Sequence, residues 1–276
     1  MPYEYSISVD EWTSRFPLES HRDAVRDINY LSGPFDLAII EQAWQEIRQS
    51  AGTETDVFVF ARGEPECRHV TKIGGVPYRP EGEPWPICMG APAGTASHLV
   101  EYYKPHGTPM SFLAQFCFAG SRDLVGELPG DVLLLFTEDD TFGTDLHFEW
   151  YSLGISRLMT PSQIPDGASP FNKSYGFICR LQEPAEATPS VPFVSATKIG
   201  GKPGFIQNPC ESSSRFLCQL SSMQPTFKRP YPWVDQEKPV TDFDELYSNQ
   251  LCMVDMGNIY VFIDQDGSCT SAFDTY

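Results

Sequence analysis

Positively charged side chains are scarce in this sequence. Its 276 residues include 19 Lys and Arg against 37 Asp and Glu, which gives a formal net charge of −18 at pH 7. Because a surface of that sign is repelled by the phosphates of DNA and RNA, we exclude nucleic acid as the partner. Negative charge attracts basic proteins, and it also keeps a protein soluble. Both interpretations of the charge stay open at this point.

Recognisable catalytic and metal-binding patterns are also missing. The sequence has no Gly-x-Ser-x-Gly, no His-Glu-x-x-His and no Cys-x-x-Cys, and its five histidines have no shared spacing. A zinc site built from Cys67, His69 and Cys88 lacks a fourth ligand at a usual spacing. The eight cysteines are scattered, and we expect reduced thiols. We therefore predict that the protein is not an enzyme and that it binds no cofactor and no metal.

Long apolar runs are absent as well. No stretch approaches the roughly 18 apolar residues that a membrane-spanning helix requires. The first five residues lack the basic and apolar regions of a secretory signal peptide. We therefore expect a cytoplasmic protein that does not bind membranes. With 41% hydrophobic and 20% charged residues, the composition is that of a folded chain with a sizeable core.

One phrase occurs twice, as Thr-Lys-Ile-Gly-Gly-Val-Pro at 71–77 and as Thr-Lys-Ile-Gly-Gly-Lys-Pro at 197–203. Each copy is followed by Phe-Leu-x-Gln, at 112–115 and 216–219. Each then reaches an apolar run that ends in acidic residues, namely Glu138, Asp139 and Asp140 in the first copy and Asp264 and Asp266 in the second. Three phrases in one order, found twice, indicate an internal duplication, with a period far longer than the 20–50 residues of solenoids.

Short apolar runs bounded by Gly, Pro and acidic residues predict β-strands. These runs lie at 57–60, 72–73, 109–118, 131–136, 147–151, 177–180 and 258–263, and the second Phe-Leu-x-Gln lies in another. The one at 258–263 is the last predicted strand.

A helix is predicted at 36–50, near the start of the chain. Leu37, Ile40, Trp44 and Ile47 recur three or four residues apart there and so share one face. The predicted fold class is therefore α+β and rich in strands, an internally duplicated unit with pseudo-twofold symmetry and an N-terminal helix. Residues 1–56 form the N-terminal extension, 57–182 the first copy with a Pro-rich insertion near 88–110, and 191–276 the second copy, together in one compact domain.

The duplicated phrases supply the candidate binding residues. Adjacent glycines permit positive φ and the proline stiffens the chain, which predicts a rigid turn that is either structural or faces a ligand. Gln115 and Gln219 stand in apolar strands, so their amides need partners, either the protein's own backbone or a bound extended peptide. The full candidate set is Gly74, Gly75, Pro77, Trp85, Gln115, Glu138, Asp139, Asp140, Gly200, Gly201, Pro203, Gln219, Asp264 and Asp266.

Acidic residues are concentrated in two stretches at corresponding places in the two copies. Residues 123–149 contain eight acids and no Lys or Arg, and residues 235–276 contain nine acids against Lys238 alone. Such stretches are typical of a solvated surface, or of a face that attracts a basic protein.

Several phrases together resemble the YwqG-like family, a bacterial domain of unknown function. They are Lys-Ile-Gly-Gly-x-Pro at 72–77 and 198–203, Pro-Trp-Pro at 84–86 and Phe-Leu-x-Gln at 112–115 and 216–219. The resemblance covers roughly residues 57–276. YwqG-like proteins are often encoded beside secreted-toxin systems, which suggests immunity proteins. The same order of phrases resembles, more remotely, the programmed cell death protein 2 family, whose members are chaperones of a basic ribosomal protein. This chain lacks that family's Cys-rich zinc insertion, and neither resemblance implies catalytic residues.

The function we expect is non-catalytic: an acidic protein that captures a basic protein partner, in the manner of an immunity protein that neutralises a toxin. A chaperone for a nascent basic client is the alternative among binding proteins. An alternative of another class is a small-molecule enzyme or ligand-binding protein, with a pocket under the 78–110 loop that uses His98 or His106.

Overall fold

The computed structural model describes residues 5, 6, 8, 52–98, 100–138, 146–171, 173–183, 185, 196–207, 212–222 and 257–275. These residues include ten strands: β1 (Thr53–Arg62), β2 (Lys72–Ile73), β3 (Ser111–Cys117), β4 (Val132–Thr137), β5 (Leu146–Tyr151), β6 (Ser174–Glu183), β7 (Lys198–Gly200), β8 (Arg215–Ser221), β9 (Asn258–Ile263) and β10 (Cys269–Asp274). Helical structure in the same ranges consists of α1 (Arg122–Val125) and the 3-10 turns Val100–Tyr102 and Pro161–Gln163.

All ten strands belong to one sheet, in the order β10-β9-β8-β7-β1-β6-β2-β3-β4-β5. Every pairing between neighbours is antiparallel. The two longest strands, β1 and β6, occupy the centre and pair from Thr53 opposite Glu183 to Arg62 opposite Ser174. The sheet curls so far that its end strands, β5 and β10, line one cleft. The result is a nearly closed barrel with an unpaired seam between β5 and β10.

The main hydrophobic core lies inside the curl of the sheet. It includes Phe60, Phe116, Leu133 and Val261, all 1% exposed or less. A second, smaller cluster lies on the outer face of β3 and β4, beneath the Pro-rich segment that contributes Cys88. Strands β3, β4 and β9 are therefore buried at every residue. Their near-continuous apolar sequences are those of strands covered on both faces.

The predicted fold class is wrong. We predicted an α+β fold with pseudo-twofold symmetry and an N-terminal helix. The structure instead has a single antiparallel sheet, and the one α-helix in the described ranges has four residues. The helix predicted at 36–50 lies outside the described residues. Long-range strand pairing decides the class, because the short apolar runs find partners in one sheet rather than against helices.

The individual strand predictions are largely confirmed. Every predicted run corresponds to an observed strand, and 258–263 matches β9 residue for residue. Strand β10 was not predicted, because its sequence, Cys-Thr-Ser-Ala-Phe-Asp, is too polar to form an apolar run. None of the helices in the described part of the chain has the length and apolar character that crossing a membrane requires.

Candidate functional site

The first Gly-Gly turn closes over an ion pair in which the lysine is buried. Strand β2 carries Lys72, whose side chain is 1% exposed and pairs with Glu64. The same ammonium group donates to the carbonyl of Val76, and the Val76 N–H donates to the Glu64 carboxylate at 3.3 Å. Gly74 and Gly75 have φ of 58° and 73°, and a Cβ at Gly75 would lie closer to Glu64 than the 3.0 Å that real Cβ atoms keep. The turn therefore requires glycine for its backbone and for the space.

The second Gly-Gly turn contains the same arrangement with a different source of acid. Lys198 on β7 lies 2.5 Å from Glu183 at the end of β6, and both side chains are 0% exposed. The N–H of Lys202 donates to the second oxygen of Glu183 at 2.9 Å. Gly200 and Gly201 again have positive φ, 69° and 68°. Burial lowers the pKa of both lysines, to about 8 for Lys72, although the neighbouring glutamates oppose the shift.

The prolines that end the two turns lie at the margins of these clusters. The carbonyl of Pro77 accepts a hydrogen bond of 3.0 Å from the Arg68 guanidinium. Pro203 is partly exposed and precedes Gly204, whose N–H donates to Gln219. Both prolines therefore belong to the turn scaffold.

The two buried glutamines hold neighbouring backbone segments together. The Oε1 of Gln115 accepts the N–H of Tyr78 at 2.8 Å, and its Nε2 donates to the carbonyls of Val70 and Arg68 at 2.7 and 2.9 Å. The Oε1 of Gln219 accepts the N–H of Gly204 at 2.9 Å, and its Nε2 donates to Ser221 Oγ at 3.0 Å. Both amides are thus hydrogen-bonded within the protein itself.

Trp85 anchors the Pro-rich segment to the outer face of the sheet. Its indole N–H donates to the carbonyl of Met110 at 2.8 Å, and its ring meets Phe136 edge-on at 5.3 Å.

The guanidinium of Arg79 lies 5.9 Å from the centre of the Trp85 ring and makes two hydrogen bonds to Glu149, of 2.7 and 3.0 Å. Burial opposes ionisation of Glu149, but hydrogen bonds from His147 and Arg79 outweigh it and lower its pKa to about 2.

The predicted acidic residues occupy separate places. Glu138 follows β4, and its buried carboxylate accepts the N–H groups of Met89 and Gly90 at 2.8 and 3.1 Å. Asp264 accepts from Ser214 Oγ at 2.5 Å, and Asp266 accepts from the N–H and hydroxyl of Ser268. These last two acids shape the β9–β10 turn. Asp139 and Asp140 lie outside the described residues.

The candidate residues do not come together as one surface. Within the described ranges they form two Gly-Gly turns beside Lys–Glu pairs, two hydrogen-bonded glutamines, a tryptophan that packs on the sheet, a buried carboxylate at Glu138 and a hairpin turn. Among the described members of the set, only Glu138 lines the cleft at the seam of the barrel.

That cleft lies between the two edge strands of the sheet. It has a volume of about 740 Å³ and is bounded by β5, by β10 and by Pro86, Ile87, Met89 and Met110 of the Pro-rich segment. Ile87 is 51% exposed and Met89 69%, and the His147 side chain is 47% exposed. His147 Nε2 lies 3.5 Å from Glu149 Oε1. Large apolar side chains held open to solvent beside carboxylates suit contact with another molecule.

The sequence reasoning missed most of this site. His98 and His106, the histidines considered there, are exposed and do not line the cleft, whereas His147 does. The available signal was the apolar triplet at 87–89 within the Pro-rich segment 78–110. Its partner, β10, gave no apolar pattern.

The possible zinc ligands do not converge. Cys67 Sγ lies 3.1 Å from His69 Nδ1, while Cys88 is buried in the outer cluster. No group of three His, Cys, Asp or Glu side chains in the part of the chain that the structure describes is arranged to hold a metal. Cys117, Cys179, Cys218 and Cys269 are free thiols.

The fold thus defines an antiparallel barrel-like protein with an open seam. Residues 71–156 match the model of a family described as a domain of unknown function (DUF1963). The match runs from β2 through β5, so it includes the first Gly-Gly turn and one wall of the cleft. A search of curated proteins found no match.

Proposed function

We propose that the protein is a cytoplasmic, non-catalytic binding protein that captures a basic protein partner at the seam cleft. The observation that carries this proposal is the exposure of Ile87 and Met89 beside carboxylates, in a chain of net charge −18. The resemblance to the YwqG-like family supports the immunity form of this function, in which the partner is a toxin.

The apolar side chains supply the first argument. Ile87, Met89, Val100 and Phe273 are the exposed large hydrophobic residues of the described ranges. Two of the four line the cleft, and Phe273 belongs to β10, one of its walls. Methionine adapts its shape to different partners, which suits a protein-binding surface.

Charge supplies the second argument. Glu138 and Glu149 line the cleft, and no Lys or Arg is found among the described residues that line it. The pKa of Glu149 is about 2, so its carboxylate is ionised at neutral pH, although Arg79 pairs with it. The excess negative charge of the whole chain adds a long-range field that attracts basic partners.

The chemistry of the cleft favours binding over catalysis. Burial raises the pKa of the Cys269 thiol to about 11, so this thiol is protonated at neutral pH. Nucleophilic cysteines have the opposite shift. Small-molecule sites enclose most of their ligand, whereas Ile87, Met89 and His147 in this lining are about half exposed or more. An open cleft of this kind suits a segment of a protein.

The test is capture of a partner from the native host with matched variants. We expect the wild-type protein to retain a basic protein, and the double variant Ile87→Ser/Met89→Ser to lose it. Val100→Ser is the control, because Val100 is 45% exposed but does not line the cleft. Because counter-charges are screened by salt, binding should weaken several-fold between low and high ionic strength. Equal capture by the double variant, or capture of acidic proteins only, would contradict the proposal.

The chaperone alternative differs from the immunity function in the effect of binding on the partner protein. An immunity protein rescues cells from a lethal toxin, whereas a chaperone keeps a nascent basic client soluble. The resemblance to the programmed cell death protein 2 family supports the second form. Co-expression with the captured protein separates the two, since growth rescue and client solubility are independent readouts.

A ligand-binding protein of another class is favoured by one observation, the position of the cleft beside the 78–110 segment. The imidazole of His147, rather than His98 or His106, is the titratable ring available there. A small molecule that raises the melting temperature of the wild-type protein but not of His147→Ala would support this second candidate.

A further inference from the structure

We propose that the captured partner enters the cleft as an extended strand that pairs with β5 and β10 and closes the barrel. The inference rests on the proposed function and names the form of the ligand: a segment in which apolar and basic residues alternate. Strand addition at a sheet edge is a recurring mode of peptide recognition.

The edges of the sheet provide the first reason. Strand β5 pairs only with β4, and β10 pairs only with β9, among the strands that the structure describes. Each therefore has a row of backbone N–H and C=O groups on its outer side, with no other described strand beside it. Both rows face the same cleft, which Leu146 to Glu149 and Cys269 to Ser271 line from opposite sides.

The inner face of the seam provides the second reason. Leu146, Phe148 and Trp150 point from β5 toward the main core, as Cys269 does from β10. All four are only partly buried, whereas β3 and β4 are buried at every residue. The core is thus incompletely covered at the seam, and an apolar side chain from an inserted strand would cover it.

The outer face of the seam has the opposite character. His147 and Glu149 alternate with the inward residues of β5, and the exposed Thr270 lies on β10 between Cys269 and Ser271. Because side chains alternate between the two faces of a strand, an inserted segment places every second residue outside, next to Glu149. Lys or Arg at those positions would meet the negative charge of the cleft. The preferred ligand therefore alternates apolar and basic residues.

The direction of the inserted strand follows from the topology. Ten strands that pair antiparallel throughout leave β5 and β10 running in opposite directions. A single strand between them pairs antiparallel with one wall and parallel with the other. Antiparallel pairs are slightly more stable per residue than parallel pairs. Mixed sheets are nevertheless common, so a strand with one antiparallel and one parallel neighbour is an ordinary arrangement.

The test uses a labelled eight-residue peptide of alternating Val and Lys with blocked ends, titrated into the full-length protein. The first control has the same composition in block order, four Val followed by four Lys. The second control is the alternating peptide with every second backbone nitrogen methylated, which removes donors but keeps charge. We expect the alternating peptide to bind about tenfold more tightly than either control, equivalent to about 1.4 kcal/mol.

The outcomes separate this inference from the proposed function. Equal, salt-sensitive binding of all three peptides would show charge attraction without strand pairing and would overturn the inference alone. Absence of binding by every peptide would also overturn it, and partner capture lost in Ile87→Ser/Met89→Ser would still support the proposed function. If the free protein is a dimer that the alternating peptide cannot dissociate, a second copy occupies the seam and the inference is wrong.

Discussion

The Lys72–Glu64 and Lys198–Glu183 pairs lie beneath identical Gly-Gly turns, yet their surroundings differ. Glu64 comes from the loop after β1 and its side chain is 28% exposed, while Glu183 ends β6 and is 0% exposed. Both lysines lie opposite a buried glutamine, Gln115 or Gln219. The comparison shows that one local phrase requires a carboxylate, and that different parts of the chain can supply it.

The largest expected difference between the two regions concerns loss of the lysine. Lys198→Met leaves the Glu183 carboxylate buried without a counter-charge, and we expect the free energy of unfolding to fall by about 3–5 kcal/mol. Lys72→Met leaves Glu64 in contact with water, and we expect a fall of about 1–3 kcal/mol. Urea denaturation followed by fluorescence measures both values.

Two further variants complete this test. Lys173→Met changes an exposed lysine and should stay within about 0.5 kcal/mol of wild type. Lys198→Met with Glu183→Leu removes both buried charges and should recover much of the lost stability. Equal losses in Lys198→Met and Lys72→Met would show that the exposure of the glutamate does not matter.

The glycines of the two turns should differ by a smaller amount. A Cβ at Gly201 would meet both Glu183 and the Cβ of Thr55, the latter at 2.8 Å, whereas a Cβ at Gly75 would meet only the more exposed Glu64. We expect Gly201→Ala to cost about 2–3 kcal/mol and Gly75→Ala about 1–2 kcal/mol. Gly82→Ala is the control, since Gly82 also has positive φ but nothing within 4 Å of its Cβ position. Thermal unfolding ranks the three, and a Gly82→Ala loss as large as that of Gly201→Ala would contradict the steric explanation.

The last expected effect is a dependence of stability on alkaline pH, which arises at Lys72. Burial lowers the pKa of Lys72 from 10.5 to about 8, despite the opposing charge of Glu64. Between these values the unfolded chain binds more protons than the folded one, so the contribution of Lys72 to the free energy of unfolding rises with pH. The slope cannot exceed about 1.4 kcal/mol per pH unit. We expect the stability of wild type relative to Lys72→Met to increase from pH 8 to 10.5, and a decrease over that window would refute the shift.

Much of the local structure was predictable from residue types. Adjacent glycines before Pro77 indicated positive φ, and both have it. Apolar runs located β3, β4 and β9. Strand β10 was not predicted, because most of its residues are small or polar. The Asp266-Gly267 pair before it is nevertheless a hairpin signal. The fold class was wrong because the pairing of the strands in one shared sheet was not visible in the sequence.

The site was predictable only in part, for a related reason. Glu138 belongs to the predicted set because it follows an apolar strand, and it lines the cleft. His147, Ile87 and Met89 are outside that set, because each matters only through the segments that the fold brings beside it. Gln115 belongs to the predicted set as a polar residue in an apolar strand, and its three backbone hydrogen bonds account for its burial.

The sequence by itself determined the strand-forming runs, the glycine-dependent turns and the sign of the charge. Each of these follows from side-chain periodicity, backbone sterics or formal charge within a few residues. The tertiary structure alone decided which carboxylate meets each buried lysine and which strands become the two edges of the barrel. Those outcomes depend on pairings between distant segments, such as Val57 with Lys198. Such pairings are selected by the burial of the whole sheet, and no local pattern encodes them.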